Sequence, residues 1–209
     1  MTRVDPAEGL TRLLARSVHD HRVLDAFAAV PRHRFVPHAE RARAYENSAL
    51  PIDCEQTISQ PVVVARMLEL LELAPSDRVL DVGTGSGYHA ALLSLLVAEV
   101  WTVERHARLS AQARRTLVGL GYANVICVVG DGWEGLPEQA PFDAINVAAA
   151  TGEHVPRALV AQLGDGGRLV APVGDEHQYL TRVRRTPDGL VRERLDPVRF
   201  VPLVRGPEP

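Results

Sequence analysis

The stretch Val79-Leu80-Asp81-Val82-Gly83-Thr84-Gly85-Ser86-Gly87-Tyr88 sets an acid and three alternating glycines where an apolar run stops. A strand that ends in glycines and passes into a helix brings backbone N–H groups against a ligand. Glycine allows the close approach, and the first helical turn has donors without partners of their own. The spacing is G-x-G-x-G, with Tyr88 where the dinucleotide fingerprint carries its third glycine. That argues against hydride transfer from a nicotinamide and for a methyltransferase-type nucleoside site.

Two more acids fall at comparable places: Glu104, 23 positions after Asp81, and Asp131, beside Gly132. Each follows a β-forming run, so the three acids end three successive strands on one edge of a sheet, where open α/β sheets bind ligands. A cationic sulfonium suits such an edge better than a pyrophosphate does, which favours S-adenosylmethionine, with S-adenosylhomocysteine as its product. In that reading Asp81 sits near the methionyl ammonium through water, Glu104 holds the ribose, and Asp131 with the Gly132 backbone meets the adenine amino group. Gly83, Thr84, Gly85, Ser86 and Gly87 form the turn around the cofactor.

The elements that must position these residues are legible from residue 77 onward as alternating strands and helices, the pattern of a parallel sheet covered on both faces. Strands are predicted over 78–82, 100–104, 125–129, 142–147 and 168–173, with helices over 90–97, 107–120 and 156–163. Gly166-Gly167 reads as the exit of the last helix. Segments 178–185 and 190–200, separated by Thr186-Pro187-Asp188-Gly189, read as an antiparallel hairpin. The fold class is α/β, a doubly wound, mostly parallel seven-stranded Rossmann-like sheet of the methyltransferase type. It carries an N-terminal helical cap and a C-terminal antiparallel hairpin.

Ahead of the sheet, Asp5-Pro6-Ala7-Glu8 has the form of a helix start, with Asp5 as cap and Glu8 reaching back. Leu10, Leu13, Leu14 and Val18 then share a face. A second helix holds Val23, Leu24, Phe27 and Ala28 and stops at Pro31. The four histidines His19, His21, His33 and His38 have no i,i+4 ligand spacing and no supporting cysteine or carboxylate pattern, so no metal site is read from them. Residues 45–61 are aperiodic and polar between two apolar helices, which marks a functional loop. Within it Ser59 is placed to cap the following helix, with Pro61 in the first turn.

At 209 residues and 46% apolar composition the chain can bury one sizeable core, so a single domain is expected: cap and active-site loop over 1–60, cofactor-binding core over 61–175, hairpin and tail over 176–209. Net charge is −3, which provides no footprint for nucleic acid. All 23 basic residues are arginine. Cys54 and Cys127 are too few for a disulfide framework, and no segment reads as a signal peptide or membrane span. A cytoplasmic monomer that binds neither membrane nor nucleic acid is expected.

The chain resembles the protein-L-isoaspartate O-methyltransferase family along almost its whole length. The residues that carry the resemblance are Val30-Pro31-Arg32 with Phe35-Val36, Leu50-Pro51-Ile52, Gln56-Thr57-Ile58-Ser59-Gln60-Pro61, the 79–88 stretch, Val103-Glu104-Arg105 and Gly130-Asp131-Gly132-Trp133. They continue in Pro141-Phe142-Asp143-Ala144-Ile145, Gly174-Asp175-Glu176-His177-Gln178-Tyr179-Leu180 and Val198-Arg199-Phe200-Val201-Pro202-Leu203. The resemblance implies methyl transfer from S-adenosylmethionine to the α-carboxylate of isoaspartyl residues in damaged proteins, with no metal. It makes Ser59 the active-site residue, orienting the acceptor carboxylate, and puts Thr57, Ile58 and Gln60 in the same substrate-binding loop. An alternative is methylation of ordinary aspartate in a particular peptide, or of another small carboxylate. The chain departs from the family at Asp53-Cys54-Glu55, where glycine is common, and at Ala150-Thr151-Gly152-Glu153-His154. Both segments are expected to border the acceptor site.

Overall fold

The computed structural model describes residues 5–206. Helices α1 (Pro6–Leu14) and α2 (His21–Ala29) lead into the small antiparallel pair β1 (Leu50–Pro51) and β2 (Thr57–Ile58), then α3 (Pro61–Leu70). The alternating part follows as β3 (Arg78–Val82), α4 (Tyr88–Ser94), β4 (Glu99–Glu104), α5 (Ala107–Gly119), β5 (Val125–Val129), β6 (Phe142–Val147), α6 (Arg157–Ala161) and β7 (Leu163–Val173). The described chain closes with β8 (Gln178–Thr186) and β9 (Gly189–Val198). The main sheet has seven strands in the order β5-β4-β3-β6-β7-β8-β9. It is parallel as far as β7 and antiparallel from β7 to β9.

From β3 the chain moves outward to β4 and β5, then returns to β6 on the other side of β3. This reversal opens a crevice at the carboxyl ends of β3 and β6, where such sheets place ligands. Side chains alternate across β3: Val79 joins the core under the N-terminal helices, whereas Leu80 and Val82 join the core on the opposite face with Phe142, Ile145 and Leu159. The cap helices hold their place by burying Leu10, Leu14, Val23 and Phe27. Phe27 and Phe35 meet the Tyr88 ring edge-on at 5.9 and 5.5 Å.

Most predicted elements form within a few residues of their expected bounds. Asp5 caps α1, accepting from Ala7 N at 3.0 Å, but Glu8 turns to Arg12 and not back to the cap. The last crossover helix ends at Ala161 and β7 begins at Leu163, five residues before the predicted strand. Gly166-Gly167 is an irregularity inside this strand, with the register shifting between the Phe142 and Ala144 pairings. Gly167 comes so close to the chain that a Cβ would lie 2.8 Å from Gly164 O. Glycines that look like a helix exit in sequence can equally serve as a bulge.

The β1–β2 hairpin turns at Asp53–Gln56, closed by Gln56 N to Asp53 O at 3.2 Å. Its two central residues, Cys54 and Glu55, both have φ of 57°. Two successive positive φ values define a type I′ turn, which favours asparagine and glycine. Asp53 Oδ2 is gripped by Gln112 and Arg108 of α5 at 2.7 and 3.2 Å, so the strained tip is held from outside. Glu55→Gly relieves a left-handed residue and is expected to raise stability by about 0.5–1 kcal/mol, read from the urea midpoint.

Candidate active site

The Gly-rich turn needs its glycines for backbone reasons. Gly83, Gly85 and Gly87 have φ of 91°, 52° and 88°, so each alternate residue is left-handed. Gly83 N bonds Val103 O at 2.9 Å, and Gly85 N donates to Glu104 Oε2 at 2.9 Å. The other Glu104 oxygen accepts from His106 N at 3.0 Å. A single carboxylate therefore fixes both the turn after β3 and the turn after β4. Gly132 closes in from a third strand end, where a Cβ would sit 2.7 Å from Val82 Cγ1.

These turns line a cleft with about 630 Å³ of open space. Gly83, Gly85, Glu104, Arg105, His106 and Gly132 form its polar side. Val103, Ala148, Ala149 and the segment 201–204 form its apolar side, and Gln56 and Thr57 of the hairpin lie over it. A larger cleft of about 1400 Å³ adjoins, lined by Ala49, Thr57, Ser59, Gln60, Val63 and residues 197–201. Thr57, Ala148 and Val201 belong to both clefts and so form the boundary between them.

The sequence-predicted residues divide between these places. Ser59, Thr57 and Gln60 face the larger cleft, and Gly83, Gly85, Glu104 and Gly132 face the smaller. Ile58 is buried in the core beside β1. Ser59 does not cap α3. Gln60 holds the cap position without a side-chain bond, and Asn47 Oδ1, fifteen residues away, takes Val62 N at 3.0 Å. Among the described residues the Ser59 hydroxyl makes no hydrogen bond, while its carbonyl is held by Arg32 Nη2 at 2.9 Å. Thr84 is buried with its hydroxyl 2.7 Å from Thr102, and Ser86 lines a separate surface cleft with Arg34, Asp53 and Gln112. Asp131 has both oxygens on backbone N–H groups, of Trp133 at 2.8 Å and Gly206 at 2.8 Å. Residues 53–55 and 150–154 do not border the larger cleft; Ala49 and residues 197–201 do.

Sequence reading missed Arg32 as a site element, the wall made by residues 197–204, and the layer beneath the turn. In that layer Asp81 is fully buried, with Oδ2 accepting from Thr102 at 2.9 Å and Oδ1 from Asn146 at 2.7 Å. It lies below the cleft wall and not at its surface. Burial pushes the Asp81 pKa up to about 6; the bonds from Asn146 and Thr102 pull against that, and the Glu104 charge adds to it. His89, 3.4 Å from Asn146 Nδ2, is driven down to about 4 by burial and by the Arg32 charge, so it is neutral at pH 7.

Because the folded pKa of Asp81 exceeds its ordinary value of 3.8, the folded chain binds the extra proton more tightly. Its stabilising contribution is complete below pH 3.8 and is lost as the pH rises through about 6. Asp81→Asn removes this titration. Between pH 4 and pH 7 the stability of the variant relative to wild type is expected to rise by about 2 kcal/mol, measured by urea unfolding at both values.

Comparison with known proteins agrees with this geometry. The family model described as protein-L-isoaspartate(D-aspartate) O-methyltransferase matches residues 9–208. A solved protein-L-isoaspartate O-methyltransferase is 32% identical, with a TM-score of 0.84, over 94% of this chain and 65% of its own. The chain thus spans about two thirds of that relative's length. A Plasmodium falciparum structure, described as a protein-L-isoaspartate O-methyltransferase in complex with S-adenosyl-L-homocysteine, shares the fold. It is 24% identical at a TM-score of 0.83, over 95% of this chain and 98% of its own. A precorrin-6y C5,15-methyltransferase from Geobacter metallireducens GS-15 also shares the fold, at 21% identity and a TM-score of 0.50 over 60% of this chain and 67% of its own. With a match that runs through the Gly-rich turn, the Ser59 hairpin and the 197–204 wall alike, the chain belongs to the protein-L-isoaspartate (D-aspartate) O-methyltransferase family.

Proposed function

We propose that this chain is a cytoplasmic, monomeric repair enzyme that methylates the α-carboxylate of L-isoaspartyl residues in damaged proteins. S-adenosylmethionine supplies the electrophilic methyl group. The resulting ester closes to a succinimide without enzymatic help, and the succinimide reopens partly to normal aspartate. The observation that carries the reading is the pair of adjoining clefts, one lined by the Gly-rich turn and Glu104 and the other by Ser59, sharing Thr57, Ala148 and Val201 as their boundary.

The smaller cleft fits the methyl donor in its donor set. The Glu104 oxygens each accept one backbone N–H and keep lone-pair capacity for ribose hydroxyls. Val103 and Leu203 offer an apolar face for a base, and the missing Cβ of Gly132 lets its backbone pack against Val82 at the edge of the cleft. Asp81 supports a cationic ligand from below through its charge and holds the strand end through Thr102 and Asn146.

On the acceptor side no general base is required, because a carboxylate is already ionised at neutral pH. The contributions left to the protein are exclusion of water and alignment with the transferring methyl. Ser59 donates its hydroxyl hydrogen to one acceptor oxygen and leaves the other free to attack. Thr57 stands at the boundary, and Phe200 and Val201 keep the path between the clefts apolar.

The test is a methylation assay with labelled S-adenosylmethionine and matched peptides bearing isoaspartate or aspartate. Base-labile label on the isoaspartyl peptide alone is expected. Label on the aspartyl peptide supports modification of ordinary aspartate instead, and no label on either overturns carboxyl methylation. Loss of one hydrogen bond to a charged group predicts that Ser59→Ala lowers kcat about 10–100-fold. S-adenosylhomocysteine affinity should remain at the wild-type value; wild-type turnover in the variant overturns the role of Ser59.

A further inference from the structure

Arg32 is the largest fully buried side chain of the described residues, with no exposure at all. A buried cation is costly unless it is paired or fully hydrogen-bonded. Among the described residues no carboxylate forms an ion pair with it. Its partners are main-chain carbonyls: Nε donates to Ala44 O at 2.8 Å, and Nη2 to Ser59 O at 2.9 Å and Ser48 O at 3.5 Å. The guanidinium carbon lies 4.8 Å from the centre of the Tyr88 ring, a cation–π seat. Tyr88 is the first residue of α4, directly after Gly87.

These contacts join two parts of the site that are far apart in the chain. Residues 44–48 lead into β1 and Ser59 leads out of β2, so one guanidinium gathers both legs of the hairpin. The ring beneath it belongs to the helix that springs from the Gly-rich turn. With Asp53 at the hairpin tip held by Arg108 and Gln112 of α5, the stem at Arg32 determines where Ser59 stands relative to that turn. Lysine cannot replace this arrangement, because an ammonium lacks the planar fork that serves several fixed acceptors together.

We infer that Arg32 is a positioning residue for methyl transfer, seating the Ser59 hairpin against the cofactor-binding turn through the Ser59 carbonyl and the Tyr88 ring. The inference rests on the function proposed above. Arg32→Lys keeps the charge and loses the fork. It is expected to lower kcat for the isoaspartyl peptide at least tenfold and to leave the Kd for S-adenosylhomocysteine within twofold. Arg32 acts through Ser59, so the double variant Arg32→Lys/Ser59→Ala should turn over within threefold of Ser59→Ala alone. A role in stability alone would reduce the active fraction and multiply the two losses, which overturns the inference, as does kcat within twofold of wild type.

If Arg32→Lys does not fold, Tyr88→Leu removes the ring and keeps the carbonyl bonds. It should lower kcat three- to tenfold with the same lack of multiplication on Ser59→Ala, and an unchanged or multiplied kcat overturns the inference. Amide hydrogen exchange provides a readout independent of activity. Residues 57–60 should exchange at least tenfold faster in whichever variant folds, with β3 and β4 unaffected. Unchanged exchange overturns the positioning role, whereas a wild-type protein inactive on isoaspartyl peptide but with the expected exchange overturns only the proposed function.

Discussion

The Glu104 carboxylate holds the amides of Gly85 and His106 together, and the site is arranged around that pair of bonds. Through the first bond the left-handed turn after β3 is fixed to the end of β4. Through the second, the path from β4 into α5 is fixed to the same group. Neither turn can shift without breaking a charge-assisted bond in a largely water-excluded place, where such bonds count for more than at the surface. The three glycines make the approach sterically possible, and Glu104 selects one geometry from those they allow.

Two buried charges flank this edge, and they are accommodated by different means. Asp81 sits beneath the turn with only Thr102 and Asn146 as donors, so burial outweighs its bonds and the carboxyl is reluctant to ionise. Arg32 has several carbonyls and an aromatic face. Burial pulls its pKa down, but a guanidinium starts so far above neutrality that it stays charged. Tyr88, between the Arg32 guanidinium and the phenyl rings of the cap, is pushed the opposite way by the same burial. The acid is therefore the member of this layer whose charge changes between pH 4 and pH 7, and the arginine is the member whose charge does not.

The walls of the clefts are made by segments that stand outside the alternating sheet. The hairpin between β1 and β2 arrives from the N-terminal side, and residues 197–204 arrive from the end of β9. Two main-chain bonds dock this last segment onto the turn after β6: Ala150 N to Val201 O at 2.8 Å and Leu203 N to Ala150 O at 2.7 Å. Because Thr57 and Val201 face both clefts, movement of either segment alters both. A sheet edge provides one half of the cleft walls, and these two segments provide the other.

The amino-acid sequence alone determined the alternating sheet, the left-handed turn at Gly83, Gly85 and Gly87, and the acid Glu104 at the end of β4. Each of these is written in local periodicity or in a glycine that the backbone requires. The Thr57–Gln60 run stands out in the sequence as a candidate site through its resemblance to a family and its lack of periodicity, and Thr57, Ser59 and Gln60 line a cleft. Four matters were decided only in three dimensions. Ser59 is released from capping because Asn47 reaches α3 from fifteen residues away. Asp81 lies below the cleft because Thr102 and Asn146 stand beside it on neighbouring strands. The bulge at Gly166-Gly167 depends on where β6 pairs with β7. Arg32 is one of 23 basic residues, all arginine, and although Val30-Pro31-Arg32 is part of the family resemblance, local periodicity does not show that its side chain is fully buried. Burial, register and long-range hydrogen bonds are properties of the packed chain, and periodicity carries no record of them.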